Sequence, residues 1–231
     1  WVLDDLSLLH QWNESITNKK FHLFQPRTTW CTESTKNEKK KVGENPAPGL
    51  TVIFYLQHKP DTNTIARMEF LDESNKVIKS FFSNAEKDSI KLKIKRGMNT
   101  MSWDMRYPDA EKIDGIIMWN DGLSGPIAAP GKYVVKLVLG NDSMMHSFLL
   151  RKPGNVSATD GDLKEQFNLA IKIRDKISEV HKALGNIRSV RNQLNAAVEK
   201  AGKDSTIKKM LRNEKDSINK KITDIEEDLY Q

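Results

Sequence analysis

The hydrophobic period of this chain changes once, at Pro153-Gly154, and that change limits the fold more than any other feature. Before it, apolar residues recur at alternate positions, as in strands with one buried face. After it they recur about every 3.5 positions, as on one face of a helix. A chain of 231 residues patterned in this way carries a β region followed by an α region.

Three islands punctuate the β region. The first is Gly43-Glu44-Asn45-Pro46-Ala47-Pro48-Gly49, which leads at once into an apolar run. The second is Trp103-Asp104-Met105-Arg106-Tyr107-Pro108. The third runs from Gly125-Pro126-Ile127 through Pro130-Gly131 to Tyr133-Val134-Val135-Lys136-Leu137. Each couples a Pro/Gly turn to a β-branched or aromatic strand. Strands are expected at residues 51–57, 65–71, 76–82, 89–95, 98–107, 113–119, 133–139 and 143–150. Turns are expected at Asp72-Glu73-Ser74-Asn75 and Gly140-Asn141-Asp142. Residues 89–95 alternate cleanly, with Ile90, Leu92 and Ile94 on one face and Lys91, Lys93 and Lys95 on the other. Such a lysine face discourages edge-to-edge pairing. Asp104 and Arg106, two apart, share a face and are placed to pair. Short strands separated by regular turn signals predict an antiparallel β-sandwich. Its expected core is Val52, Phe54, Leu56, Met68, Phe70, Val77, Ile90, Leu92, Ile94, Trp103, Tyr133, Val135 and Leu137. Tyr133, just after Pro130-Gly131, has the setting of a tyrosine corner.

In the α region, Leu163, Phe167, Ala170, Ile177, Leu184, Ile187, Leu194 and Val198 form one stripe, closed by Gly202. Ile207, Leu211, Ile218, Ile222, Ile225 and Leu229 form a second. These predict a long antiparallel helical hairpin, with Ser157 or Asp160 capping the first helix and Asp204 or Ser205 the second. Gly185 interrupts the first helix at a cost of about 1 kcal/mol relative to Ala. Residues 162–201 would span roughly 60 Å and residues 205–231 roughly 40 Å. The first helix therefore outruns the second. Leu184, Ile187, Val190 and Leu194 also spread wider than a two-helix seam needs. They are the expected interaction stripe, for further tail helices or for a homo-oligomer through the helices.

The chain begins at Trp1, with no initiator Met and no signal peptide, and reads as a piece of something longer. Residues 1–6 read as a lone strand that completes a sheet held elsewhere, residues 21–27 as a short extended piece, and residues 32–41 as a linker. Three segments result: 1–42 as strand and linker, 43–153 as the sandwich, and 154–231 as an incomplete helical bundle. The 37 Lys and Arg against 31 Asp and Glu give a net charge of +6, spread thinly enough to argue against nucleic acid as a partner. No apolar run reaches the roughly 18 residues of a membrane span. The single cysteine, Cys31, excludes an internal disulfide and a cysteine-rich zinc site.

The ordered series WVLDDLS, HLFQPR, GENPAPG, WDMRYP, GPIAAPGKYVVKL and QFNLAIKIRDKISEV resembles the C-terminal part of a bacterial family. These are large secreted proteins with sortilin-like, Asp-box β-propellers, often labelled glycosyl hydrolase. The resemblance covers nearly the whole chain. It implies that WVLDD ends a propeller, that the sandwich is an Ig-like domain of the flagellar-hook-capping type, and that the helices form a tail continuing past Gln231. The Asp-box blades themselves lie outside this sequence, so no propeller activity maps onto residues here.

Candidate chemistry is sparse. His10, His22, His58, His146 and His181 have no metal-ligand spacing. Asp4-Asp5, adjacent on a strand, point to opposite faces and do not make the carboxylate pair of a glycosidase. Asn120-Asp121-Gly122 could offer oxygens to calcium but fits no EF-hand loop, and turn chemistry explains it equally. No cofactor motif is present. Among the aromatics, Trp119 is the candidate sugar platform, with Asp121 beside it. Asp-Ser-apolar or Asp-Ser-Thr triplets at Ser89, Ser143, Ser205 and Ser217 resemble the O-glycosylation triplet of some secreted Bacteroidetes proteins. The expectation is a non-catalytic accessory module, extracytoplasmic and bacterial. It would support or dock the β-propeller of its parent protein or of another chain. The alternative is a carbohydrate-binding module, or part of a glycoside hydrolase, taking a glycan.

Overall fold

The computed structural model describes residues 6–31, 49–61, 63–115, 122–201 and 205–230. Its architecture is mixed, with two β-sheets and a long C-terminal helical region. The chain divides into a β unit, residues 1–108 with 125–170, and a helical unit, residues 109–124 with 171–231.

In the β unit, a three-stranded antiparallel sheet has the order β1-β3-β6, with β1 Phe21–Leu23, β3 Leu50–Leu56 and β6 Gly97–Trp103. A five-stranded sheet has the order β2-β8-β7-β4-β5. Its members are β2 Thr29–Trp30, β4 Ala66–Leu71, β5 Val77–Phe82, β7 Gly131–Leu139 and β8 Asp142–Arg151. The pairs are antiparallel except β2 on β8. The segment before residue 32 thus lends an edge strand to each sheet. It also buries Ile16, Leu23 and Phe24, which ties it to the core.

Inward side chains of both sheets share one cluster. Trp103, at the end of β6, is fully buried and stacks on Phe70 of β4 with ring centroids 4.5 Å apart and planes 20° apart. Tyr133 and Phe148 meet it edge-on at 6.4 and 6.3 Å. Alternation along β3 and β7 accounts for Val52, Phe54, Leu56, Val135 and Leu137, all buried as expected. The Tyr133 hydroxyl donates to the Ala129 carbonyl, 2.8 Å away and four residues upstream.

Gly49, the last residue of the first island, meets the other two islands at the end of β6. A Cβ on Gly49, whose φ is +102°, would stand 2.2 Å from the Trp103 carbonyl oxygen. One on Gly125 would stand 1.9 Å from the Tyr107 carbonyl oxygen. Only glycine permits these approaches. The Gly125 approach is locked by Tyr107 N–H on the Pro126 carbonyl (3.0 Å) and Ala128 N–H on the Met105 carbonyl (2.7 Å).

Some expectations need correction. Residues 89–95 do not form a strand. A 3-10 turn at Asp88–Ile90 precedes one bridge, Lys91 to Phe82. The Asn99 amide takes both backbone groups of Lys95, at 2.7 and 2.8 Å, which removes them from ladder pairing. The facing still survives, since Leu92 is buried, Ile94 packs partly against the core and the three lysines are exposed, while Ile90 is only half-buried. Val77 is 44% exposed and Ile78 is buried instead, because the register of β4 on β5 shifts between Phe70 and Leu71. β6 stops at Trp103, and Met105 turns out of it with φ 58°. Asp104 pairs with Lys79 (3.2 Å) and accepts the Arg106 backbone N–H (3.2 Å). Leu6 is not in a strand, and neither are residues 113–115. The expected strand at residues 1–5, the linker at 32–41 and residues 116–119 lie outside the described residues, as do the Asp204 cap and the Ser205 side chain.

The helices are α1 Ser7–Gln11, α2 Asp160–Lys200 and α3 Ser205–Tyr230. Thr159, not Ser157 or Asp160, caps α2. Its N–H donates to Asp162 Oδ2 (2.8 Å), and Asp162 N–H donates to Thr159 Oγ1 (3.1 Å), a reciprocal capping box.

Replacing Trp103 with Ala removes the side chain shared by both sheets. Trp103→Ala is expected to destabilise the chain by about 3–5 kcal/mol in denaturant unfolding. A loss below about 1 kcal/mol would place Trp103 outside the core.

Candidate functional site

The N-terminal arm presents the clearest unmatched surface of the β unit. Gln11 fixes it in place. Its Oε1 accepts the Gln25 N–H (2.7 Å), and its Nε2 donates to the Gln25 carbonyl (3.1 Å), as a paired strand would. Trp12 stacks on Phe24 at 6.2 Å and meets Tyr55 edge-on at 6.1 Å. Even so, Trp12 is 39% exposed, and beside it Leu6 and Leu9 are 47% and 62% exposed. α1 buries none of its residues. The braced turn thus leaves three large apolar side chains open to solvent.

A cleft of about 310 Å³ lies elsewhere in the β unit, lined by Cys31, Arg106, residues 126–130, Lys152 and the first turns of α2 up to Phe167 and Ala170. Its polar groups hold the main chain. Lys152 Nζ donates to the Val156 and Ala158 carbonyls at 3.0 and 2.7 Å, and Arg106 Nη1 to the Gly125 carbonyl at 2.9 Å. The Cys31 thiol leans on the Ala128 carbonyl at 3.5 Å. Burial, with Asp160 nearby, pushes its pKa up to about 11. A thiol so shifted is neutral and a poor nucleophile. On the far side of Phe167, the Tyr107 ring packs at 4.8 Å, and burial pushes its hydroxyl up to about 12.

In the helical unit, the segment that opens at Asp109 is tied by Ala110 N–H on the Leu123 carbonyl (2.7 Å). One face of α2 grips it. Ser178 accepts the Glu111 N–H (3.0 Å), His181 Nδ1 meets the Glu111 carbonyl, Lys182 pairs with the Glu111 carboxylate (3.2 Å), and Arg188 donates to the Asp114 carbonyl. Gly185, between them, faces Ile113. His181 is therefore a buried brace. The sugar candidates Trp119 and Asp121 lie outside the described residues. Of the expected stripe, Leu184 is buried, Ile187 and Leu194 are half-buried, and Val190 is 40% exposed. Other exposed apolar side chains of this unit are Ile173 on α2 and Ile207, Met210 and Ile225 on α3.

The structure brings His22 close to His146. Burial, Lys19 and His146 together lower the His22 pKa, while His146 Nε2 contacts the Leu23 carbonyl at 3.0 Å. No group of three or more His, Cys, Asp or Glu is gathered as for a metal among the described residues, and no helix there is long and apolar enough to cross a membrane. Sequence reasoning misses the arm surface because residues 1–6 read as a strand, which hides the helical turn at their end. The spacing of Leu6 and Leu9, i to i+3, is the available helical signal.

Compared with known proteins, the chain matches no family model, and no curated protein matches it.

A Cβ on Gly185 would sit 3.7 Å from Ile113 Cδ1, an ordinary contact. Gly185→Ala is therefore expected to raise stability, by up to about 1 kcal/mol, in thermal or denaturant melts. A loss would mean that the loop sits closer to α2 than this. The raised Cys31 pKa favours the neutral thiol in the fold, a contribution complete below pH 9 and lost as the pH rises from 9 to about 11. At pH 8, alkylation of Cys31 should run roughly a hundredfold slower than that of a free cysteine. Equal rates would contradict the burial.

Proposed function

We propose that this chain is a non-catalytic docking module of an extracytoplasmic bacterial protein, and that its partner is a β-propeller lying upstream in the parent protein or supplied by another chain. The observation that carries the reading is the braced N-terminal arm with Leu6, Leu9 and Trp12 turned to solvent. It comes directly after the stretch that resembles the last propeller strand, so the apolar row stands where a propeller would be joined. An Ig-like sandwich suits this role. Two mainly antiparallel sheets around Trp103, with the Tyr133 hydroxyl tied to the Ala129 carbonyl, support that assignment. A helical hairpin is supported by Arg191 of α2, which pairs with Glu226 and donates to Thr223 (2.9 Å) on α3. Exposure of Ser89, Ser143 and Ser217 suits acceptor sites for extracytoplasmic glycosylation.

A second reading, a carbohydrate-binding module using Trp119 and Asp121, is favoured by one observation. Glu111 and Asp114, which precede them in the sequence, are held by four side chains of α2. Glycan-array binding that disappears in Trp119→Ala would select this reading.

The test of the docking role is affinity capture of the polypeptide encoded upstream of Trp1. Capture is expected, with loss in Leu9→Asp at unchanged circular dichroism. Failure to capture, or glycoside turnover by this chain alone, would contradict the proposal.

A further inference from the structure

β1 is fastened to β8 by side chains, with no ladder between the two strands. Asp142, Met144 and His146 alternate along the start of β8 and so share a face. Asp142 pairs with Lys20 (3.0 Å), Met144 Sδ accepts the Leu23 N–H (3.3 Å), and His146 Nε2 donates to the Leu23 carbonyl (3.0 Å). Gln25 Nε2 then donates to the Ser147 carbonyl. This clasp and the β1–β3 ladder hold the arm. Gln11 and Trp12 are held with it, because they rest on Gln25 and Phe24.

His22 is the weak point of the clasp. Its Nδ1 is buried and has no hydrogen-bond partner among the described residues. The Phe24 ring meets it edge-on at 4.8 Å. The charged and titratable groups around it are Lys19 and Lys20 on its own segment, its register partner Tyr55 on β3, and Asp142 and His146 on β8. Asp142, the one carboxylate of that set, is taken by Lys20. A neutral ring fits this setting, with its proton on Nε2. A protonated ring would add a buried Nδ1–H with no acceptor, next to Lys19 and His146. His146 differs, since its Nε2 donates to the Leu23 carbonyl in either charge state.

We propose that His22 makes the arm acid-labile: protonation of its ring loosens β1 from β3 and β8 and frees the brace under Trp12. Burial first, then Lys19 and His146, lower the His22 pKa from its ordinary 6.5. The folded chain therefore binds this proton less readily than the unfolded one. The stability tied to the neutral ring is present above pH 6.5 and is lost as the pH falls below it, through the lower folded value. The consequence for docking rests on the reading above, whereas the release is a property of this chain alone and stands or falls separately.

Native-state hydrogen exchange of the full chain, followed from about pH 7.5 to about pH 5, is the test. The reporters are the Phe24 N–H on the Ile53 carbonyl and the Gln57 N–H on the Lys20 carbonyl, both 3.1 Å. Their opening equilibria should rise severalfold on acidification, relative to the amides of β4 and β7. His22→Gln should abolish the rise. Lys19→Glu, at an exposed position, should reduce it by offering the ring a carboxylate. Opening at Phe24 and Gln57 that does not change with pH, a rise that persists in His22→Gln, or one undiminished in Lys19→Glu would overturn the proposal.

Discussion

The β unit depends on two backbone crossings that leave no room for a side chain. Gly49 and Gly125 both press against the chain from Trp103 to Pro108, with added Cβ atoms that would fall 2.2 and 1.9 Å from carbonyl oxygens. These crossings bring the start of β3 and the approach to β7 onto the end of β6. They place the Trp103 ring between the sheets, where it stacks on Phe70 and meets Tyr133 and Phe148. Ala129, held on this path, receives the Tyr133 hydroxyl. The core and the crossings are one device, since moving either backbone outward would lift Trp103 from its neighbours.

The same contacts explain which parts of the fold were legible in the sequence. Strands with one buried face announce themselves by alternation, so β3, β4, β7 and β8 are found nearly residue for residue. Turn chemistry was equally plain at Asp72. Burial opposes its charge, yet hydrogen bonds from Ser74 and Lys76 outweigh that and hold its carboxyl below the usual range. Alternation reports facing and says nothing of ladder partners. Residues 91–95 keep their inward Leu92 without forming a strand, because Asn99 takes the Lys95 backbone groups. A one-residue register shift likewise exchanges Val77 for Ile78, and no local pattern encodes it.

The surfaces were harder to read than the core. Gly185 looked like a blemish in a helix. It is the point where α2 meets Ile113, among Ser178, His181, Lys182 and Arg188, whose bonds go to Glu111 and Asp114 on a loop some 70 residues earlier. Contacts to backbone groups leave no motif in the sequence that makes them. The expected stripe around Leu184 is partly spent inside the helical unit, while exposed apolar side chains fall at the arm and on both α2 and α3.

Native-state hydrogen exchange tests the central claim about the crossings most directly. The amides of Tyr107 and Ala128 bond the Pro126 and Met105 carbonyls across the Gly125 crossing. They should exchange only through global unfolding, at the slow limit shared with β3 and β6. Exchange of these two amides by local opening, with free energies well below that limit, would contradict the account.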